Sequence, residues 1–354
     1  MSSFRAVVIE HGYKTTKYER EIISAAGGEF VDASDRPLEE ALKVAETAAG
    51  IMVRRLEVTR ELIARFKRCK ILTRYGVGTD NVDVDAATDA NMIVGHAPLY
   101  ATDEVSVHAI ALLLACVRDV VGTHRRMEAG AWDVERPVRV CRMAGRTLGI
   151  VGFGNIGRAV AGKLSGWGLR IVATDPFVEK ARADKLGVEL VPLDRLLAES
   201  DLILLHAPLL PETRHLINAR TLGAMKNGVV LVNTARGGVV DTRALLDALD
   251  AGRIECAGLD VFEEEPLPAD SPLRKHPRIV LTDHMAWYSE ESQVQLQTTI
   301  AEEVVRVCRG GLPVSLMNPE VLKKLGRFAE WTPPDNILWQ LKRLAMLGKT
   351  KTGE

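Results

Sequence analysis

Thr147-Leu148-Gly149-Ile150-Val151-Gly152-Phe153-Gly154-Asn155-Ile156-Gly157-Arg158-Ala159-Val160 runs from an apolar strand through a tight glycine turn into the start of a helix. At this spacing Gly152 permits the turn, Gly154 lets the backbone approach a pyrophosphate, and Gly157 allows the helix to pack closely on the strand. The amides that open the helix, at Asn155, Ile156 and Gly157, then face phosphates at the positive end of the helix dipole. Asp175 follows the next apolar run, eighteen residues beyond Gly157, where a carboxylate accepts hydrogen bonds from the adenosine ribose hydroxyls. Residues 173–177 contain no arginine to receive a 2′-phosphate, so the spacing predicts NAD rather than NADP.

Around this turn, apolar runs at 148–151, 171–173, 202–205, 229–232, 257–261 and 279–281 are separated by helical patterns. Six such runs predict a doubly wound parallel sheet of the Rossmann type. Upstream, strand-like runs at 6–9, 49–53 and 71–74 alternate with helical patterns at 17–26 and 59–67, the pattern of a second, smaller α/β unit. A long helix over 102–118 joins the two series, with Thr102 as its expected N-cap and Asp103 and Glu104 in the first turn. It is apolar on nearly every face, which predicts burial between layers or in a homodimer interface. A further helix is expected at 289–309. Thr332-Pro333-Pro334-Asp335 reads as a joint before an amphipathic helix over 336–347 that includes Trp339.

Composition narrows the classes of function. The 354 residues carry 46 lysines and arginines against 47 aspartates and glutamates, and are 47% hydrophobic with 5% aromatic. A net charge of −1 lacks the basic surplus that phosphate binding requires, so no nucleic acid partner is expected. Five cysteines without CxxC spacing read as reduced thiols of a cytoplasmic protein. No signal peptide is read in MSSFRAVVIE, and the most apolar stretch, 105–117, is too short to cross a bilayer, so no membrane is expected. No pair of histidines has metal-ligand spacing, so no metal is expected.

Three later segments end in polar residues where open α/β sheets place their ligands. They are Asn233-Thr234-Ala235-Arg236-Gly237-Gly238, Gly258-Leu259-Asp260-Val261-Phe262-Glu263-Glu264-Glu265-Pro266, and Thr282-Asp283-His284. Hydride transfer to a 2-oxo acid requires a cation for the carboxylate and carbonyl and a proton donor titrating near neutrality, properties that Arg236 and His284 supply. Glu265 is the choice among the three consecutive glutamates to hold the imidazole. His108, His124, His215 and His276 read as ordinary structural or surface histidines.

Together with Thr73-Arg74-Tyr75-Gly76-Val77-Gly78-Thr79-Asp80-Asn81-Val82-Asp83, His206-Ala207-Pro208 and Pro211-Glu212-Thr213, these segments resemble the D-isomer-specific 2-hydroxyacid dehydrogenase family over roughly residues 50–318. The resemblance implies Arg236 as substrate-binding arginine, Glu265 as the paired glutamate and His284 as general acid in reduction and base in oxidation. It implies that backbone amides at Tyr75, Gly76, Val77 and Gly78 hold the substrate carboxylate, with Trp287 shaping the pocket. Thr234, Ala235 and Asp260 would line the nicotinamide, and His206, Ala207, Pro208 and Thr213 the rest of the cofactor. It also implies a discontinuous flavodoxin-like substrate domain, 1–99 plus 289–354, into which the Rossmann domain, 100–288, is inserted.

This sequence departs from its relatives in places. Asp283 stands where proline commonly precedes the catalytic histidine, and it would act on His284 if it pointed inward. His96 stands where relatives often carry asparagine. Met285-Ala286-Trp287-Tyr288-Ser289-Glu290 and 311–318 look most like the C-terminal-binding-protein branch, in which some members are NAD-responsive dimeric corepressors that bind short peptides. Two functions are therefore carried forward: a dehydrogenase of small 2-hydroxy acids, and a scaffold of the corepressor kind. Arg54, Arg55 and Arg74 bear on the substrate, because an arginine facing it would favour an acidic or sugar-acid side chain.

Overall fold

The computed structural model describes residues 4–132 and 139–331; the expected joint at 332–335 and helix at 336–347 lie outside the described residues. The chain divides into two compact units, with breaks between Tyr100 and Ala101 and between Tyr288 and Ser289. One unit is built from both ends of the chain and the other from the stretch between.

In the split unit, β1 (Arg5–Val8), β2 (Glu29–Asp32), β3 (Gly50–Val53), β4 (Ile71–Arg74) and β5 (Ile93–Gly95) form a parallel sheet in the order β2-β1-β3-β4-β5. This is the flavodoxin-like order. β2 and β5 escape a reading by apolar runs because β2 begins and ends on acids and β5 has three residues. Helix Glu290–Cys308 opens with a capping box in which Ser289 and Ser292 exchange hydrogen bonds, and it packs along helix Lys17–Ala25. Gly50 makes room for it, since a Cβ there would lie 2.5 Å from Val304. The chain then returns along the sheet edge, where Asn318 accepts from the Val94 amide (2.9 Å) and donates to the Met92 carbonyl (2.8 Å).

In the inserted unit, β6 (Thr147–Val151), β7 (Arg170–Thr174), β8 (Glu189–Leu190), β9 (Leu202–Leu205), β10 (Val229–Asn233), β11 (Ile254–Leu259) and β12 (Ile279–Leu281) form a parallel sheet in the order β12-β11-β10-β9-β6-β7-β8. The six expected strands are present, with the two-residue β8 added at the edge. The strand order reverses between β6 and β9, and that switch point is where the glycine turn leaves the sheet. Apolar clusters fill both faces of the sheet.

The long helix is Thr102–Val117, but Thr102 does not cap it: Ala101 holds the N-cap position and no side chain bonds there. Leu112 and Cys116 of this helix lie over β11 at Gly258, where a Cβ would meet Leu112 at 3.1 Å and Cys116 Sγ at 3.4 Å. Val107, on another face, is 51% exposed. Among the described residues no single helix is long and apolar enough to cross a membrane; Thr102–Val117 passes by length only together with Val120–Glu128, across a 59° bend. Because Gly258 sets the separation of helix and sheet, Gly258→Val should overpack this contact and lower stability by about 1–3 kcal/mol, read as a lower urea midpoint.

Candidate active site

β10, β11 and β12 are neighbours, so the segments that follow them emerge side by side. After β10, Asn233 closes a tight turn, accepting from the Ala235 amide (3.0 Å) and donating to the Arg236 carbonyl (2.9 Å). Gly237 lets this turn lie against the next segment, since a Cβ there would fall 1.8 Å from the Phe262 carbonyl carbon. After β11, Glu265 accepts from the Phe262 amide through one oxygen (2.9 Å) and meets His284 Nδ1 with the other at 2.6 Å. With Nδ1 tied to the carboxylate, Nε2 of His284 is the nitrogen left for chemistry.

Burial raises the Glu265 carboxyl, but the His284 hydrogen bond and charge, the Phe262 amide and the charge of Arg236 outweigh it and leave it below the usual carboxylate range. Arg236 is thus near enough for its charge to act on Glu265, and its Nη1 donates to the Ala235 carbonyl (2.8 Å). Both members of the His284–Glu265 pair are about one third exposed. Asp283 is exposed, so the inward carboxylate that would act on His284 is not found.

Asp260, 1% exposed, holds the turn that carries the histidine. Its side chain accepts from Thr282 Oγ1 (2.6 Å) and from the amides of Met285 (3.0 Å) and Ala286 (3.1 Å), and its backbone carbonyl accepts from the His284 amide (2.8 Å). Trp287 follows, edge-on to Tyr288 at 5.6 Å between ring centroids. A second histidine–glutamate pair, His215 Nε2 to Glu263 at 2.6 Å, joins the same loop, with the other Glu263 oxygen accepting from the Thr242 amide (2.9 Å). Nothing in the sequence spacing marks His215 for this, because its partner comes from a distant loop.

At the switch point, Gly152 has φ +90°, and a Cβ on it would lie 2.6 Å from the Ala207 nitrogen. Gly154 is the N-cap of helix Asn155–Lys163, and Gly157 meets the Gly152 carbonyl so closely that a Cβ would lie 2.4 Å from it. Gly152 and Gly157 therefore have the steric reasons their spacing implies. Asp175 stands beside the turn, and its two oxygens accept from the amides of Phe153 and Phe177, both at 2.9 Å.

Residues 110–286 match the family described as D-isomer specific 2-hydroxyacid dehydrogenase, NAD binding domain. The glyoxylate reductase of Korarchaeum cryptofilum is 42% identical over 269 residues, covering 75% of this chain and 81% of that protein. This chain belongs to that family. The D-3-phosphoglycerate dehydrogenase of Methanocaldococcus jannaschii is 38% identical over 304 residues, covering 85% of this chain and 58% of that protein. The chain spans about half the length of the phosphoglycerate dehydrogenases that it matches. Among solved structures, the D-lactate dehydrogenase from Escherichia coli superposes with a TM-score of 0.75 at 30% identity, covering 89% of this chain and 100% of that one.

The family's dinucleotide fits the residues present. The amides opening helix Asn155–Lys163 lack intrahelical acceptors, as the first turn of any helix does, and they face the glycine turn. Thr234 Oγ1 and both ring nitrogens of His206 are buried without a partner among the described residues, and both residues are expected to line the cofactor. Thr213 fits less directly, because its hydroxyl bonds within its own loop, to the Pro208 carbonyl (2.6 Å) and the Leu210 amide (2.8 Å). Among the described residues no group of histidine, cysteine, aspartate or glutamate has the arrangement of a metal site.

The expected substrate loop lies in the split unit, after β4. Tyr75 departs from its expected part: its amide donates to the Val53 carbonyl (2.8 Å), and its hydroxyl is buried on Glu19 (2.8 Å). The amides of Gly76, Val77 and Gly78 have no acceptor among the described residues, and their loop is held from its carbonyl side. There the Ala97 amide donates to Gly76 O (3.0 Å), and His96 Nδ1 meets Val77 O at 2.8 Å. Arg74 packs against Gly76 and donates to the Arg54 carbonyl, Arg54 donates to the His11 carbonyl and lies over the Tyr13 ring, and Arg55 is exposed.

His96 is 1% exposed, and burial, aided by the Arg74 charge, pushes its imidazole down to about 4 despite the Val77 hydrogen bond. The unfolded chain has the ordinary histidine value of about 6.5, so between these limits the unfolded state binds the extra proton. His96 therefore contributes stability that is complete above about pH 6.5 and lost as the pH falls toward 4, to a depth on the order of 3 kcal/mol. Melting temperatures followed from pH 7.5 to 4.5 should fall less steeply in His96→Asn than in the parent.

Proposed function

We propose that the chain is an NAD-dependent oxidoreductase that interconverts small 2-oxo acids and D-2-hydroxy acids. The observation that carries this reading is the His284–Glu265 pair at 2.6 Å, at the carboxyl end of the same sheet whose β6 leads into the glycine turn, with the charge of Arg236 reaching the glutamate. Bound at that turn, NADH supplies the hydride. Arg236 binds the substrate carboxylate and polarises the 2-oxo group, so negative charge gathering on that oxygen meets a fixed cation. His284 Nε2 gives its proton to the same oxygen, and Glu265 keeps Nδ1 protonated and faces the imidazole through the cycle. In oxidation neutral His284 takes the hydroxyl proton back. The carboxylate of Asp175 beside the turn supports NAD over NADP, since a 2′-phosphate would meet a like charge.

The 76–78 loop of the split unit, whose amides have no acceptor among the described residues, is a further candidate for binding a carboxylate. The apolar helix Thr102–Val117, with Val107 exposed, fits a homodimer interface. A cytoplasmic location accords with this chemistry. The relatives carry enzyme names, which favours the dehydrogenase over the corepressor-like scaffold.

Purified protein should oxidise NADH with one or more of glyoxylate, hydroxypyruvate, phosphohydroxypyruvate and longer 2-oxo acids. Arg236→Ala and His284→Ala should each lose at least about 100-fold in kcat/KM. Glu265→Gln should lose about 10-fold or more with NADH affinity kept. Tight NADH binding with no turnover on any acid would instead support the scaffold.

A further inference from the structure

A line of hydrogen bonds connects the long helix to the catalytic turn. His108 Nε2 lies 3.0 Å from Thr282 Oγ1, and Thr282 Oγ1 lies 2.6 Å from Asp260 Oδ1. We propose that His108 is a positioning residue, acting through Thr282 and Asp260 to hold the backbone that aims His284; the inference rests on the dehydrogenase reading.

The direction of each bond follows from donor chemistry. A carboxylate only accepts, so the one hydroxyl hydrogen of Thr282 goes to Asp260. The hydroxyl oxygen then faces His108 as an acceptor, and Nε2 of His108 carries a hydrogen. Asp260, steadied in this way, receives the amides of Met285 and Ala286 on its side chain and that of His284 on its carbonyl. His284 has φ +57°, a left-handed conformation that a side-chain-bearing residue keeps only where its surroundings impose it. The amides on both sides of that conformation, His284 and Met285, are both held by Asp260.

Helix geometry brings His108 to this point. Residues 108, 112 and 116 lie on one face, and the contact of Leu112 and Cys116 with Gly258 continues the stripe toward the carboxyl end of β11, where Asp260 begins. His108 lies 3.6 Å from Asp260 Oδ1 itself and keeps 17% of its side chain exposed. The helix read as the dimer interface and the catalytic histidine thus share one hydrogen-bonded support.

The test compares His108→Ala, Thr282→Val, their double variant and His108→Gln, whose side-chain amide restores a donor. Both single variants should lower kcat by roughly 10-fold or more, with KM and the NADH Kd within about twofold. The double variant should lose no more than the worse single one, and His108→Gln should recover most of the rate. Unchanged kcat in folded single variants, or a loss matched by weakened NADH binding, overturns the proposal. Nitrogen-15 labelling of histidine gives a readout independent of turnover, the Nδ1–H resonance of His284, assigned by its absence in His284→Ala. It should move in His108→Ala and Thr282→Val and return in His108→Gln. If the parent protein reduces no 2-oxo acid, the dehydrogenase reading fails by itself and this resonance decides: a shift supports the positioning role, and an unmoved signal overturns it.

Discussion

Asp260 sits at the end of β11 with almost no surface exposed, and its oxygens are acceptors for the turn that follows β12. That arrangement ties two adjacent strand ends by side chain and main chain together. The imidazole of His284 inherits its place from this junction, and Glu265 reaches it only because the loop between them folds back, with the Gly237 turn against it. A buried carboxylate with several donors is expensive to rearrange, so the site is built in advance of any substrate.

Much of this was open to reading from residue types. The glycine turn and the six longer strands follow from spacing, because glycines at fixed offsets and β-branched runs report backbone geometry directly. Residue type at the ends of the apolar runs selects Arg236, Glu265 and His284, and family resemblance implies the same three, which separates Glu265 from two neighbouring glutamates of equal charge. What stayed hidden depends on tertiary contact. β8 is too short to show a period, Thr102 lost its expected capping role to the backbone, and Tyr75 turned its hydroxyl into the split unit's interior. The bonds of Thr282 and His108 join residues 174 positions apart, and no local pattern encodes that.

The histidines divide by environment in a way their neighbours in sequence do not announce. His96 and His206 are buried, each pushed down to about 4 by desolvation, and so stay neutral where the cell works. His284 and His215 each face a glutamate at 2.6 Å in partly exposed loops. The second environment fixes the orientation of the ring through a carboxylate at one of its nitrogens.

The discontinuity of the split unit bears on the order in which the chain becomes a protein. β5 takes its edge partner from Leu316 and the hydrogen bonds of Asn318, and helix Lys17–Ala25 takes its packing from Glu290–Cys308. During synthesis the N-terminal strands must therefore wait, with one face and one edge uncovered, until roughly two hundred further residues have followed β5. The inserted unit has every described strand of its own sheet by residue 281. Nascent chains thus carry a finished nucleotide-binding unit while the split unit is still unfinished.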